Sequence, residues 1–436
     1  MPSNPALHSL PPAHLAAWLI AAAALAGVIV RPWRISEALW AVLGAIAMVA
    51  LSLLSLRDAA AAVAKGSDVY LFLTGMMLLA ALARREGLFA WLAAYAVRHA
   101  RGSARRLFLL IYLVGIAVTA LLSNDATAVV LTPAVYAAAK DAGAPPLPYL
   151  FICAFIANAA SFVLPISNPA NLVVYGAAMP SLRHWLLQFA AASAAAIVAT
   201  YWALRFTQRA ALRAKIAHTV GVPELGAGGR AAAAGIAATA LLLSGASALA
   251  QPLGLPTFLA GAGTWFAIMA VRRAPPWAAL REISWSILPL VAGLFIMVRG
   301  IENTGALAPL ARALAAHAHA SLGWTMLWAG ALTAVASNLL NNLPLGLIAG
   351  GIASAAHLPA KLTGALLIGV DLGPNLSVTG SLATILWLLA LRREGLRVGA
   401  WRFLLVGSIV MPLALAASFA IYMTLAGDFG ILRADF

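Results

Sequence analysis

Twelve long apolar runs divide this sequence, at about residues 15–31, 37–56, 69–83, 107–139, 148–180, 184–204, 231–250, 256–271, 283–299, 321–357, 359–391 and 403–426. A helix that crosses a bilayer needs about 20 mostly apolar residues. A chain patterned this way folds as a polytopic helical membrane protein. Eight of the runs have the length of single spans. The other four are too long for one span, and each is interrupted by Asn, Ser, Gly or Pro. Backbone at membrane depth can leave the helix only where protein or a water-filled cavity satisfies its polar groups. Interrupted spans of this kind are the sequence mark of a binding site in secondary transporters.

Composition excludes the alternatives. Hydrophobic residues make up 63% of the chain and charged residues 9%, far from the roughly 45–50% and 25% of a soluble domain. Cys153 is the only cysteine, so no disulfide forms within the chain. The net charge of +15 does not read as nucleic-acid binding, because the cations sit in short clusters between apolar runs, as in cytoplasmic loops. Residues 1–14 carry no Lys or Arg. The start of the chain therefore lacks the basic region of a cleavable signal peptide, and 15–31 reads as the first span.

The charge map organises the runs. With 107–139 and 321–357 as re-entrant hairpins, the clusters Arg31/Arg34, Arg84–Arg106, Lys140, Arg205–Arg230, Arg272–Arg281 and Arg392–Arg402 fall on one side and hold 21 of the 28 cations. That side is then cytoplasmic. Full helix pairs in place of the hairpins leave the same parity, so it is the polar tips that suggest re-entry. Two halves emerge, related by inverted topology. Residues 1–205 form the first repeat, with hairpin 107–139 and broken helix 148–180. A basic linker, 206–230, joins it to the second repeat, 231–436, with hairpin 321–357 and broken helix 359–391. The expected fold is all-α and polytopic. It has about ten transmembrane helices plus two re-entrant helical hairpins, with broken helices at the midplane. The stretches 87–99 and 303–319 read as connecting helices between spans.

Eight of the chain's ten Asn lie in four short segments inside apolar runs. These are Ser123–Thr127; Asn158 with Ser167–Asn171; Ser337–Pro344; and Asp371–Asn375 with Thr379–Ser381. The segments pair by repeat: Asn124 and Asn341 are 217 apart, and Asn158 and Asp371 are 213 apart. Hydrogen bonding between helices, worth about 0.6 kcal/mol on average, would account for a scattered handful of such residues. It does not account for repeat-matched clusters beside helix breakers, which read as a polar binding site.

Two carboxylates, Asp125 and Asp371, fall in these segments. An ionisable group in hydrocarbon is a functional hypothesis by default, because its charge is expensive there. Both are candidate proton carriers; the structural alternative is a carboxylate fixed by amides at a broken-helix N-terminus. No Lys or Arg occurs in the four segments. A site for dicarboxylates or phosphate would be expected to present a cation, so the pattern favours a neutral polar substrate or a cation. Cys153 reads as a small buried residue. The eight His lie near span ends or in loops, and His317/His319 do not make a convincing metal pair. No resident metal or cofactor is expected. An intramembrane protease is the enzyme alternative, but Val370 stands where such aspartyl proteases carry Gly before Asp.

The same segments resemble a known family. Ser123-Asn124-Asp125-Ala126-Thr127 through Thr132-Pro133 is similar to the first hairpin motif of the bacterial arsenite permeases of the ArsB type. Ala157–Leu172 resembles their second signature, Asn341-Asn342-Leu343-Pro344 the third, and Gly369–Asn375 with Thr379–Thr384 the fourth. The tip departs from the expected pattern at Thr127, where a small residue is usual. The resemblance spans nearly the whole chain and places it in the ion transporter superfamily. It implies export of arsenite and antimonite across the inner membrane, in exchange for protons, in some systems with a soluble arsenite-stimulated ATPase. It also implies a scaffold part and a mobile transport part, frequently in a homodimer.

The chemistry of the segments suits that substrate. Arsenous acid is neutral at pH 7 and presents three hydroxyls, which Asn, Ser and Thr can both donate to and accept from. A lone cysteine cannot chelate arsenic as a dithiol, so the hydroxide is what such a site would read. The polar site on this reading comprises Asn124, Thr127, Asn158, Ser167, Asn168, Asn171, Asn341, Asn342, Asn375, Thr379 and Ser381, with Asp125 and Asp371 coupling to protons. The bilayer is the remaining partner, and no nucleic acid is expected. A sodium/proton antiporter on the same fold, with the carboxylates as cation ligands, is the closest alternative.

Overall fold

Runs rich in Ala and Leu are good helix formers, and within a membrane the helix is the one open-chain form that satisfies its own backbone. The computed structural model follows that rule over residues 12–32, 35–217, 221–272, 280–281 and 283–428, the residues it describes. Arg34, Arg273, Arg433, His8 and His218 lie outside the described residues. In chain order the helices are α1 (Pro12–Val30), α2 (Glu37–Ala50), α3 (Leu56–Lys65), α4 (Ser67–Arg85), α5 (Leu88–Ala100), α6 (Ala104–Leu121), α7 (Asn124–Ala126), α8 (Thr132–Asp141), α9 (Leu147–Ala159) and α10 (Pro169–Tyr175). They continue as α11 (Leu182–Thr207), α12 (Ala227–Ala248), α13 (Gly254–Arg272), α14 (Ile287–Asn303), α15 (Leu307–Ala320), α16 (Leu322–Leu340), α17 (Asn342–Ala355), α18 (Ala360–Leu372), α19 (Leu382–Arg393) and α20 (Ala400–Asp428). Among the described residues no strand forms; Ser103 and Lys215 make one isolated antiparallel bridge.

Among the described residues seven helices, α1, α4, α6, α11, α12, α13 and α20, are long and apolar enough to cross a membrane alone, and α14 with α15 makes an eighth if that pair, bent by 79°, counts as one. This is fewer than the ten spans expected from the sequence. The cause is that several apolar runs are cut into pieces. Helices α2 and α17 have 14 residues and α9 has 13, about 20 Å of rise against a hydrocarbon core of about 30 Å. All four long runs are broken where their polar residues fall: between Leu121 and Asn124, between Ala159 and Pro169, at Asn341, and between Leu372 and Leu382. The expected connecting stretches are helices α5 and α15. Helix α3 was not anticipated; its N-cap Ser55 accepts from the Asp58 N–H at 3.0 Å.

The chain divides into two compact units. The first, Met1–Ser67 with Ser284–Ala313, packs α1, α2 and α3 against α14 through small residues. A side chain on Gly44 of α2 would meet Ala24 at 2.6 Å and the Met297 sulfur at 2.7 Å, so the helices pack at close range. Arg31 pairs with Glu37 at 2.5 Å across the turn from α1 to α2.

The second unit, Asp68–Ile283 with Leu314–Phe436, holds all four polar segments. Helices α4 and α13 run at backbone contact: a Cβ on Gly261 would lie 2.5 Å from the Gly75 carbonyl oxygen. Asp68 accepts from the first N–H of α13, that of Gly254, at 2.7 Å. Helices α16 and α18 meet just as closely, because a Cβ on Gly373, just beyond α18, would press on Ala334 and Ser337 of α16. Small residues at helix contacts are the expected device where lipid supplies no hydrophobic drive between helices. Trp387 donates from its indole to the Leu150 carbonyl at 2.9 Å, tying α19 to α9 beside the site.

Candidate functional site

Each break has a local cause. Helix α6 stops before Ser123, whose hydroxyl accepts from the Ala126 N–H at 3.3 Å and starts α7. Pro133 offers no N–H to the turn before it, and over Thr127–Leu131 the helix widens into a π-turn, a form concentrated at functional sites. Asn168 caps α10 by accepting from the Ala170 N–H at 3.0 Å, with Pro169 at the first helical position, a favoured N-terminal pairing. Ser381 caps α19 by accepting from the Thr384 N–H at 3.1 Å. These two caps are 213 residues apart, the same offset as Asn158 and Asp371. Asn341 joins α16 to α17 at φ 69° and ψ 151°, a conformation that costs a non-glycine residue about 1–3 kcal/mol.

The two broken segments, Asn158–Asn171 and Asp371–Ser381, are joined directly. The Asn158 amide donates to Asn375 Oδ1 at 3.0 Å, and the Asn375 amide donates to the Phe155 carbonyl at 3.1 Å. The Asn168 amide donates to Asp371 Oδ1 at 2.7 Å. All four side chains are buried. Asp371 closes α18 and Asn375 lies one turn further along, in the 3-10 turn Gly373–Asn375. Three acceptors in this region are buried without a hydrogen-bond partner among the described residues: Asn158 Oδ1, Asn171 Oδ1 and Asp371 Oδ2. A buried unpaired polar atom costs about 1–3 kcal/mol, so each of these oxygens is a candidate to accept from a donor or to meet a cation.

The second hairpin is knotted to the break after α18. Asn341 donates to the Thr379 carbonyl at 3.2 Å, and the Asn342 N–H donates to the Gly380 carbonyl at 2.8 Å; these two bonds hold the unusual backbone at Asn341. Two further residues, absent from the sequence-based set, organise this knot. The Asn338 amide donates to the Gly373 carbonyl at 3.0 Å, and its Oδ1 accepts from the Ser377 hydroxyl at 2.7 Å. Thr379 donates to the Asn338 carbonyl at 2.7 Å. Asn338 sits within the polar segment Ser337–Pro344, so its type and place were the available signal; Ser377 carried none beyond lying in a break.

Other site residues act as ties. Thr127 and Thr119 hydroxyls meet at 2.8 Å. Ser167 donates to the Ala120 carbonyl at 3.2 Å, joining the first broken helix to α6 beside the first hairpin tip. The Asn171 amide donates to the Ser161 carbonyl at 2.8 Å and to those of Leu164 and Pro165 at 3.3 Å. Ser381 and Thr384 hydroxyls meet at 2.9 Å. Asn124 accepts from the Asp125 N–H at 2.9 Å. Asp125 is half-buried. Helix α7 and the π-turn pack on α19, and α17 packs on α10. The polar tip after α6 therefore meets the helix that follows the break after α18, and the helix after Asn341 meets the one that starts at Pro169. Among the described residues no group of three or more His, Cys, Asp or Glu could hold a metal ion. Cys153 is buried in α9, and the His317 ring stands edge-on to Trp328 at 5.9 Å.

Residues 19–375 match the family model described as citrate transporter (CitMHS). The arsenical pump membrane protein of Escherichia coli strain K12 is 30% identical over 357 residues, covering 78% of this chain and 81% of that protein. An uncharacterized transporter of Mycobacterium tuberculosis strain H37Rv is 27% identical over 413 residues, 91% of this chain and 95% of that one. Among solved structures, the YdaH transporter of Alcanivorax borkumensis, described as having an unusual topology, superposes with a TM-score of 0.56 at 16% identity, covering 96% of this chain and 99% of that one. That likeness speaks for the fold. The long match to the family model and the length of the shared sequence carry the assignment: the chain belongs to the citrate transporter (CitMHS) family and is a multi-pass inner-membrane transporter of the arsenical-pump type, not an enzyme.

Proposed function

We propose that this transporter exports arsenite and antimonite as neutral trihydroxides, in exchange for protons. The observation that carries the reading is the set of three buried acceptors without partners, Asn158 Oδ1, Asn171 Oδ1 and Asp371 Oδ2, in segments that hold no Lys or Arg. A trihydroxide brings three O–H donors to such acceptors. A tricarboxylate such as citrate brings a single hydroxyl donor against six carboxylate oxygens and their negative charge. The name of the Escherichia coli relative points the same way. Asp371, already joined to Asn168, and Asp125 at the first hairpin tip are the proton-exchanging groups in this reading. Asn124, Thr127, Ser167, Asn341, Asn342, Thr379 and Ser381 shape the breaks around it.

The same reading takes the chain as an inverted repeat of 1–205 and 231–436 about the linker 206–230. The equal offsets of the two caps and of Asn158 and Asp371 support it, as does the exchange of hairpin contacts between halves. A sodium/proton antiporter draws on the same unpartnered oxygens, since a sodium ion is bound by oxygen ligands.

The test is arsenite uptake into inside-out membrane vesicles with an acid interior, against a collapsed-gradient control. Accumulation that follows the gradient is the expected result. Uptake indifferent to the gradient removes proton exchange. No arsenite uptake by folded protein, together with sodium-dependent proton movement, moves the assignment to the antiporter, and citrate uptake moves it to the substrate of the family's name.

A further inference from the structure

The second unit carries a built array of cations that the transport site does not use. Helices α6 and α11, both long enough to span, pack along each other: Tyr112 donates to the Ile197 carbonyl at 2.6 Å, and the Phe108 and Tyr201 rings lie 5.9 Å apart. The start of α6 and the end of α11 thus share one membrane face. The chain after α11 does not leave that face. It turns back and is fastened there by the Ser103–Lys215 bridge, by Ile216 N–H to the Gly102 carbonyl at 3.4 Å and by Ala217 N–H to the Ala142 carbonyl at 2.9 Å. Leu212 and Ile216 are buried beneath it.

This fastening gathers Arg105 and Arg106 from α6 and Arg205 from the last turn of α11 with Arg209, Arg213 and Lys215 from the returning segment. None of the six pairs with a carboxylate among the described residues. Two are oriented by aromatic rings: Arg205 lies 5.2 Å over Trp202 and donates to the Tyr201 hydroxyl at 3.1 Å, and Arg209 lies 4.6 Å over Phe206. Trp202 and Phe206 are themselves 58% and 56% exposed. Loop cations on this face are expected from the distribution of charge alone. A loop pinned by backbone hydrogen bonds, with its guanidiniums stacked, is preorganised.

We propose that this face is a binding site for the headgroup of an anionic phospholipid. The cations supply charge-assisted bonds to phosphate oxygens, and the exposed rings of Trp202 and Phe206 in the last turns of α11 occupy the depth at which aromatic residues meet the headgroup layer. An acidic soluble protein would match the charge but has no use for exposed Trp202 and Phe206 at that depth.

The experiment uses the full chain in detergent, with thermal unfolding followed during titration with phosphatidylglycerol, phosphatidylcholine, inorganic phosphate or polyglutamate. The expected result is a saturable rise in unfolding temperature with phosphatidylglycerol alone. Arg209→Gln/Arg213→Gln, both at exposed positions, is expected to weaken the apparent affinity about 25-fold, at about fivefold for each cation. Arg209→Lys/Arg213→Lys, which preserves the charge, is expected to recover most of it. An equal response to phosphatidylcholine, or to phosphate at matched concentration, overturns the proposal. So does a Gln pair that titrates like the parent protein while unfolding at the parent temperature without lipid. A response to polyglutamate without one to phosphatidylglycerol also overturns it and assigns the face to an acidic protein.

Discussion

Asn168 does two separable things, and substitution can part them. Its Oδ1 caps α10 at 3.0 Å, while its amide donates to Asp371 at 2.7 Å. A lost cap costs about 1 kcal/mol, and a lost hydrogen bond to a charged group about 1.5–3 kcal/mol. Asn168→Ala removes both, so the expected loss of stability is about 2.5–4 kcal/mol, taking the two as additive. Asn168→Ser keeps a capping hydroxyl and removes only the bond to Asp371, for a loss of about 1.5–3 kcal/mol. Asn168→Asp also keeps the cap but sets a second carboxylate against Asp371, and two carboxylates at that range cannot both ionise freely. The assay is thermal unfolding of purified protein beside arsenite uptake in vesicles, with Asp371→Asn completing a double-mutant cycle. Asn168→Ser is expected to fold and to transport poorly. In the cycle, Asn168→Ser and Asp371→Asn are expected to be strongly non-additive. Wild-type uptake and unfolding by Asn168→Ser, or strict additivity with Asp371→Asn, would refute the reasoning.

Three more predictions rest on separate observations. Asp125→Asn and Asp371→Asn, made singly, are each expected to lower transport and flatten its pH dependence; two variants with parental rates and pH profiles would end the proton role of these groups. Cys153→Ala is expected to retain arsenite resistance in cells, because the thiol is buried in α9 and stands alone, and complete loss in a well-expressed folded variant would contradict it. Gly373→Ala should lower the unfolding temperature by an amount equivalent to about 1–3 kcal/mol of overpacking, since the new methyl would lie 2.6 Å from Ala334 Cα and press on its carbonyl oxygen; an unchanged midpoint would show that α16 and α18 are not in close contact there.

What the sequence made legible is what local chemistry decides. Apolar length implied the spans, and the breaks fell where Asn, Ser, Gly and Pro stand in apolar surroundings. The caps at Asn168 and Ser381 follow from residue type beside a helix start. Span number was less legible, because a run such as 37–56 stays largely apolar beyond Ala50, with only Ser52 and Ser55 to interrupt it, while its helix stops at Ala50. The short helix α3 was missed because Leu56–Lys65 mixes Ala with Arg, Asp and Lys and matches no span.

Which polar atoms are free was not legible, because it depends on partners some 200 residues away. Asn158 and Asn171 are the same residue type in the same broken run, yet Asn158 spends its amide on Asn375, 217 residues away, and Asn171 on three carbonyls nearby. In both, the amide hydrogens are used up in ties and the carbonyl oxygen is left over. Asp371 follows the same rule, with one oxygen held by Asn168 and one left free. On the proposed reading these leftover oxygens call for a ligand that supplies donors or positive charge, and this is the ground for setting a neutral hydroxide or a cation above a carboxylate.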